Sequence, residues 1–299
     1  MARPQAEATG CAYADCTTQT QRSQVMTASA RSLEDAAPGI AAAVARLQAA
    51  ARTGKPCAPV RDLIGNGDAD LAYAVQHALS VDRITRGAKV VGHKIGLTSP
   101  EVQAQLGVDR PDFGLLFDDM AVLPGETIDI RRLLQPKIEA EIAFLLSADI
   151  TDPQVTADGV RPAVACAAPA LEIVDSRISK WDITFADTVA DNASSGLYTL
   201  GSTRVSLEHF EPAEATMTMM LNGARVSAGR GSACLGDPLN ALAWLARIAI
   251  EVGAPLRAGH VVLSGALGPM VPVSPGAQVR AEISGLGSVE AIFTDGGGE

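Results

Sequence analysis

The residues best placed to do chemistry are Glu139 and Glu141, within Pro136-Lys137-Ile138-Glu139-Ala140-Glu141-Ile142-Ala143-Phe144-Leu145-Leu146, and Glu172, within Pro169-Ala170-Leu171-Glu172-Ile173-Val174-Asp175. Two residues apart on a strand, Glu139 and Glu141 project from one face, whereas on a helix they would diverge by about 200°. Ile138, Ala140, Ile142 and Phe144 then take the opposite face, and the acid face runs on into Ala143 and Leu145. Glu172 interrupts an apolar face in the same way, between Ala170 and Val174. Unpaired charge on such a face is costly unless a cation compensates it. Three hard oxygen donors without His or Cys partners suit Mg²⁺ or Mn²⁺ better than zinc. A lone Glu-x-Glu is more often the wet face of an amphipathic strand, so the chelation reading leans on the third acid and the apolar neighbours.

Other candidates are weaker when taken singly. Val90, Gly92 and Lys94 share a strand face, and a lysine at a strand end can act as acid, base or carboxylate anchor, although most lysines are solvated surface. Asp118 and Asp119 follow Leu115-Leu116-Phe117. Adjacent acids point to opposite sides of an extended chain, so at most one faces a site, and an ordinary turn accounts for both. Gly229-Arg230-Gly231-Ser232 and Gly236 match neither the P-loop nor the dinucleotide fingerprint and read as a tight turn. His77, His93, His209 and His260 lack metal-ligand spacing, and there is no Gly-x-Ser-x-Gly elbow, so a hydrolytic triad is not supported.

The elements that must hold these residues follow from periodicity. Ile40, Val44 and Leu47 predict an amphipathic helix between Leu33 and Arg52. A second helix is expected from about Asp70 to Arg86, with Leu71, Val75, Ala78 and Leu79 inward and Gly87 as its stop. Lys89 to Leu97 reads as a strand, Ser99-Pro100 as the cap of a short helix ending at Gly107, and Pro111, Asp112 and Gly114 as a turn. Beyond Asp118 the period changes to two, with runs near 138–146, 170–175, 196–200, 215–222, 260–264, 278–283 and 288–293. One helix interrupts them, from the Asp237-Pro238 cap to Gly253, with Leu239, Leu242 and Leu245 in its stripe. The organisation expected is a disordered extension over 1–31, a helical portion over 32–118 and a β-rich metal-binding catalytic body over 119–295. Residues 1–31 contain no Leu, Ile or Phe. Met26 opens a more ordinary start, which suggests translation from there.

Composition narrows the function classes. With 299 residues and 47% hydrophobic content the chain can bury a substantial core. A net charge of −10 and the lack of Lys/Arg clusters argue against a nucleic-acid surface. No apolar run approaches the roughly 18 residues of a membrane span. Cys11, Cys16, Cys57, Cys166 and Cys234 lack C-x-x-C spacing and fit a reducing compartment, so a cytoplasmic location is expected.

Several segments resemble a known family: Val91-Gly92-His93-Lys94-Ile95-Gly96-Leu97-Thr98, Gln105-Leu106-Gly107-Val108-Asp109, Pro111-Asp112-Phe113-Gly114, Thr188-Val189-Ala190-Asp191-Asn192-Ala193-Ser194 and Leu263-Ser264-Gly265-Ala266-Leu267-Gly268-Pro269-Met270. They are similar to the 2-keto-4-pentenoate hydratases of aromatic meta-cleavage pathways, within the fumarylacetoacetate hydrolase superfamily. The likeness runs from about Ala36 to Phe293. It implies an α+β fold, a mixed β roll with a helical N-terminal portion, often assembled into homo-oligomers. It implies a divalent-metal site at Glu139, Glu141 and Glu172, with Lys94 and Asp119 catalytic nearby. The activity implied is hydration of 2-hydroxypenta-2,4-dienoate to 4-hydroxy-2-oxopentanoate, with a 4-hydroxy-2-oxopentanoate aldolase as downstream partner. The rivals are a 4-oxalocrotonate-type decarboxylase of the same superfamily, a C–C bond hydrolase, for which His93 with Glu101 is a poor match, and a non-catalytic stabilising subunit.

Overall fold

The computed structural model describes residues 37–99, 103, 108 and 110–296. The expectations for 1–31 and for a start at Met26 lie outside these residues, and so does most of the helix expected after Ser99. Three helices open the described chain: α1 over 37–53, α2 (Arg61–Ile64) and α3 (Ala69–Thr85). Asp68 caps α3, its carboxylate accepting from the Asp70 and Leu71 amides, and Gly87 follows with φ 104°. The buried face of α3 is Ala72, Val75, Gln76 and Ser80, so it is rotated from the expected Leu71, Ala78 and Leu79. Gln76 explains part of that rotation, because its amide donates to the carbonyls of Phe113 and Val189 inside the protein.

Strands β1 (Val90–Gly96), β2 (Asp112–Phe117), β3 (Ala121–Val122), β5 (Lys137–Leu146), β6 (Val164–Val174), β7 (Ser195–Leu200), β10 (Val261–Leu263) and β11 (Val271–Pro272) form a mixed sheet. Its order is β2-β1-β10-β5-β6-β7-β3, with β11 on β5, and it curls into a half-barrel. A five-stranded sheet, β4-β13-β12-β8-β9, is made by β4 (Thr127–Asp129), β8 (Thr216–Leu221), β9 (Ala224–Arg230), β12 (Gln278–Ile283) and β13 (Gly287–Thr294). Two short helices complete the frame used below, α4 (Phe185–Ala190) and α5 (Pro238–Glu251). Asp237 caps α5 through the Leu239 amide, and Leu239, Leu242 and Leu245 are fully buried.

Two departures from the expected elements matter. The turn expected at Pro111 to Gly114 is instead the start of β2, where Asp112 pairs with Gly96. Strand β9 was not legible as one, since Ala224–Arg230 is poor in β-branched residues, and Gly229-Arg230 closes it rather than forming a tight turn. Because β1 and β2 hydrogen-bond into the larger sheet, that sheet crosses residue 118. One apolar core lies among the sheets and α5, and a second joins the N-terminal helices to Ile178, Phe185 and Val189. Among the described residues no helix is long and apolar enough to cross a membrane.

Candidate metal centre and active site

Strands β5 and β6 are antiparallel neighbours, and their register sets Glu139 directly opposite Glu172, with Glu141 one step along the same face of β5. One ligand oxygen from each of the three lies within 4.8 Å of the others. None is on a wet face: Glu139 is 9% exposed, Glu141 0% and Glu172 1%. The Gly265 amide donates to Glu141 Oε2 at 2.6 Å, from a backbone with φ 104° that favours glycine. Glu141 Oε1 and both oxygens of Glu172 accept no hydrogen bond from the protein. Burial, then repulsion from Glu172, pushes Glu139 up to about 7, and the same two causes raise Glu141 well above its ordinary value. Buried, mutually repelling and short of donors, an all-carboxylate set of this size fits a hard divalent cation.

Lys94 reaches the cluster from β1 because β10 inserts between β1 and β5. Its Nζ lies 3.3 Å from Glu172 Oε1, and both side chains are buried. This is an ion pair without hydrogen-bond alignment, which is why Glu172 Oε1 still counts among the unbonded oxygens. Burial alone would lower the lysine, but Glu172, Asp112, Glu139 and Glu141 together outweigh it and hold the ammonium above its ordinary value.

The acid that accompanies Lys94 is Asp112. Its carboxylate is 1% exposed, and Oδ2 accepts from the Thr188 hydroxyl at 3.3 Å while Oδ1 has no hydrogen-bond partner. A Cβ built on Gly96 would run into Asp112 Oδ1 and stand 3.4 Å from Lys94 Nζ. The absence of a side chain at 96 therefore lets an acid and an ammonium converge. Burial raises Asp112, against the opposing pull of Lys94 and Thr188.

Asp119 is not brought to this site. It sits in the 3-10 turn Asp118–Met120 after β2, 64% exposed, with Oδ1 2.5 Å from Arg83 Nη2. Strand β2 runs from Asp112, beside Gly96, past Gly114, beside Lys94, to Phe117, beside Val90, so three strand steps of about 3.3 Å and the following turn carry Asp119 away from Lys94. Asp118 is also outside, accepting from the Lys89 amide. Sequence reasoning passed over Asp112 because Pro-Asp-x-Gly resembles a turn; its place in the family-like segment Pro111-Asp112-Phe113-Gly114 was the signal available.

Lys94, Asp112 and Glu139 open onto one cavity of about 590 Å³. Thr98, Thr188 and Ser194 add hydroxyls to its wall, and Leu97, Val174, Trp181, Ile183 and Leu267 make most of the remainder apolar. Gly229 belongs to this wall: a Cβ there would strike the Leu267 carbonyl, so the glycine is needed for close packing rather than for a phosphate. Charged groups of both signs, Glu139 and Asp112 with Lys94 and Lys137, in an otherwise largely apolar wall suit a small anionic molecule with an apolar tail.

The fumarylacetoacetate hydrolase C-terminal family matches residues 88–294. The 2-keto-4-pentenoate hydratase of Burkholderia vietnamiensis is 53% identical over 256 residues, covering 86% of this chain and 98% of that protein. The 2-hydroxyhexa-2,4-dienoate hydratase of Comamonas testosteroni is 40% identical over 252 residues, covering 84% and 96%. Among solved structures, the 4-oxalocrotonate decarboxylase of Pseudomonas putida G7, complexed with magnesium and adipate, superposes with a TM-score of 0.81 at 34% identity, covering 85% of this chain and 97% of that one. The family match reaches from β1 into β13 and so takes in every strand that carries the site, and these relatives extend over the helices as well: the chain belongs to the 2-keto-4-pentenoate hydratase family within the fumarylacetoacetate hydrolase superfamily.

Proposed function

We propose that this protein is a hydro-lyase that adds water to 2-hydroxypenta-2,4-dienoate, giving 4-hydroxy-2-oxopentanoate. The observation that carries the reading is the convergence of the Glu139, Glu141 and Glu172 cluster with Lys94 and Asp112 at one end of a largely apolar cavity. Hydratase relatives covering nearly their full length support it.

Glu139, Glu141 and Glu172 would hold a divalent cation, Mg²⁺ or Mn²⁺, which when bound supplies Lewis-acid stabilisation of negative charge on the substrate's C2 oxygen. The reaction needs two proton movements and one bond to water. The C2 hydroxyl proton leaves and a proton arrives at C5, giving a conjugated 2-oxo-3-enoate; water oxygen then bonds to C4 and a proton to C3. Lys94, buried and kept cationic by its acidic neighbours, sits where it can balance charge on the enolate oxygen. Asp112 is the acid beside Lys94 that lies outside the glutamate cluster, and it takes the role of orienting the water and accepting its proton. Thr188 fixes one oxygen of that carboxylate. The apolar wall accommodates the hydrocarbon end of the dienoate and keeps competing water out.

Purified protein with Mg²⁺ or Mn²⁺ should remove the dienol absorbance of 2-hydroxypenta-2,4-dienoate and yield the 4-hydroxy-2-oxo acid. Turnover by this chain alone also rules out a stabilising-subunit role. Release of CO₂ from 4-oxalocrotonate without hydration of the dienoate would replace this reading with the decarboxylase.

A further inference from the structure

The turn between α4 and β7 contains three consecutive non-glycine residues in the left-handed region: Asn192 (φ 55°), Ala193 (φ 50°) and Ser194 (φ 52°). Such a run persists only where its surroundings over-determine it. The Asn192 side chain supplies much of that determination. Its Oδ1 accepts from the Leu115 amide at 2.8 Å, and its Nδ2 donates to the Leu115 carbonyl at 2.9 Å. Leu115 lies on β2, which ends the sheet and, among the described residues, has a strand partner on one side only. The asparagine amide therefore substitutes for a neighbouring strand at that edge. The Asn192 carbonyl accepts from Ser195 Oγ at 2.8 Å, and it fills the space that a Cβ on Gly114 would need. Ser194 is tied at both ends, its amide donating to Asp191 O at 3.0 Å and its carbonyl accepting from the Asp175 amide at 2.8 Å.

Both partners of this clamp lead to the cavity. Three residues before Leu115 is Asp112, and two residues after Asn192 is Ser194. Ser194 Oγ lies 3.5 Å from Thr188 Oγ1, which itself bonds Asp112. Asn192 is not part of the cavity wall, and its side-chain amide bonds Leu115 rather than any of the three glutamates.

We infer that Asn192 is a positioning residue: one side-chain amide holds the edge strand bearing Asp112 and the left-handed turn bearing Ser194 in mutual register. The inference goes beyond the hydratase reading but uses its assay. Asn192→Gly removes the amide while relieving the left-handed backbone, and Asn192→Asp keeps the acceptor for the Leu115 amide but sets an oxygen against its carbonyl. With Asn192→Gly, kcat should fall about 10²-fold, the cost of a misplaced group, while KM and Mg²⁺ affinity by calorimetry stay within about twofold of wild type. Amide exchange over residues 112–117 should quicken. A kcat within about twofold of wild type overturns the inference, and so does an equal loss of kcat and Mg²⁺ affinity, which would mark a general loosening of the fold. Asn192→Asp carries the same readings if the glycine variant does not fold. If the wild-type chain itself shows no hydration, the hydratase reading fails, and the clamp is then judged by exchange, with unchanged rates over 112–117 overturning it.

Discussion

Single side chains separate two aspartates that lie seven positions apart. Asp112 is enclosed beside Lys94, whereas Asp119 faces solvent and pairs with Arg83. Asp112→Asn should lower kcat about 10²–10⁴-fold, the usual worth of a positioned acid or base. Asp119→Asn should leave steady-state kinetics near wild type and cost about 0–1 kcal/mol of stability, as expected for an exposed ion pair. The reverse ranking in a side-by-side assay would return Asp119 to the mechanism. Glu141 tests the metal centre separately. It is fully buried, its carboxyl is raised by burial and by Glu172, and Glu139 adds to the repulsion. Glu141→Gln should abolish the rise in melting temperature that Mg²⁺ or Mn²⁺ produces in wild type, because a ligand charge is gone. In metal-free buffer the same variant should melt no lower than wild type, since a buried like charge has been removed. A normal metal-induced shift in Glu141→Gln would place the cation elsewhere.

Among the secondary-structure elements, the parallel contact of β1 with β10 does most to assemble the site, since it is what brings Lys94 to a face otherwise made by β5 and β6. Gly92 pairs with Val261 in that contact, and a Cβ there would run into the Val261 carbonyl backbone. Gly92→Ala should therefore force β1 away from β10 and cost more than about 2 kcal/mol, in the range of strained or overpacked core changes. Activity should fall in the fraction that remains folded, because Lys94 is two residues on. An unchanged urea midpoint for Gly92→Ala would show that the two strands are not packed this closely. The strand itself was legible at 89–97, as were β5, β12 and α5, because each shows a clean local period or cap. Strand β2 was read as a turn because Pro111, Asp112 and Gly114 carry turn chemistry; its pairing with β1 and the amide of Asn192 override that preference.

For the whole molecule, acid stability has an identifiable contributor. His93 is 3% exposed on the face of β1 opposite Lys94, packed near Phe113 and His260, and its Nδ1 has no hydrogen-bond partner. Burial, and then His260, depress it from 6.5 to about 3. In the unfolded chain the imidazole takes up a proton near its ordinary pKa, while in the folded protein it does so only near 3. Its contribution to stability is thus complete above about pH 6.5 and is lost as pH falls toward 3, by at most about 1.4 kcal/mol per pH unit. His93→Leu should flatten the decline in stability between pH 6.5 and 4.5, measured by urea unfolding. Parallel curves for the two proteins would show that His93 is not neutral in the fold.

What the sequence determined by itself was the facing of side chains within a segment: Glu139 and Glu141 share a face because strand periodicity is local, and Glu172 among Ala170 and Val174 is costly without compensation wherever its strand lies. Family resemblance in the sequence extended that to Lys94. Only the tertiary structure decided that Glu139 stands opposite Glu172, that β10, from more than a hundred residues later in the chain, stands between β1 and β5 in the sheet, and that Asp112 rather than Asp119 lies beside Lys94. Register and strand order depend on contacts between distant segments packed into one core, and no local period encodes them.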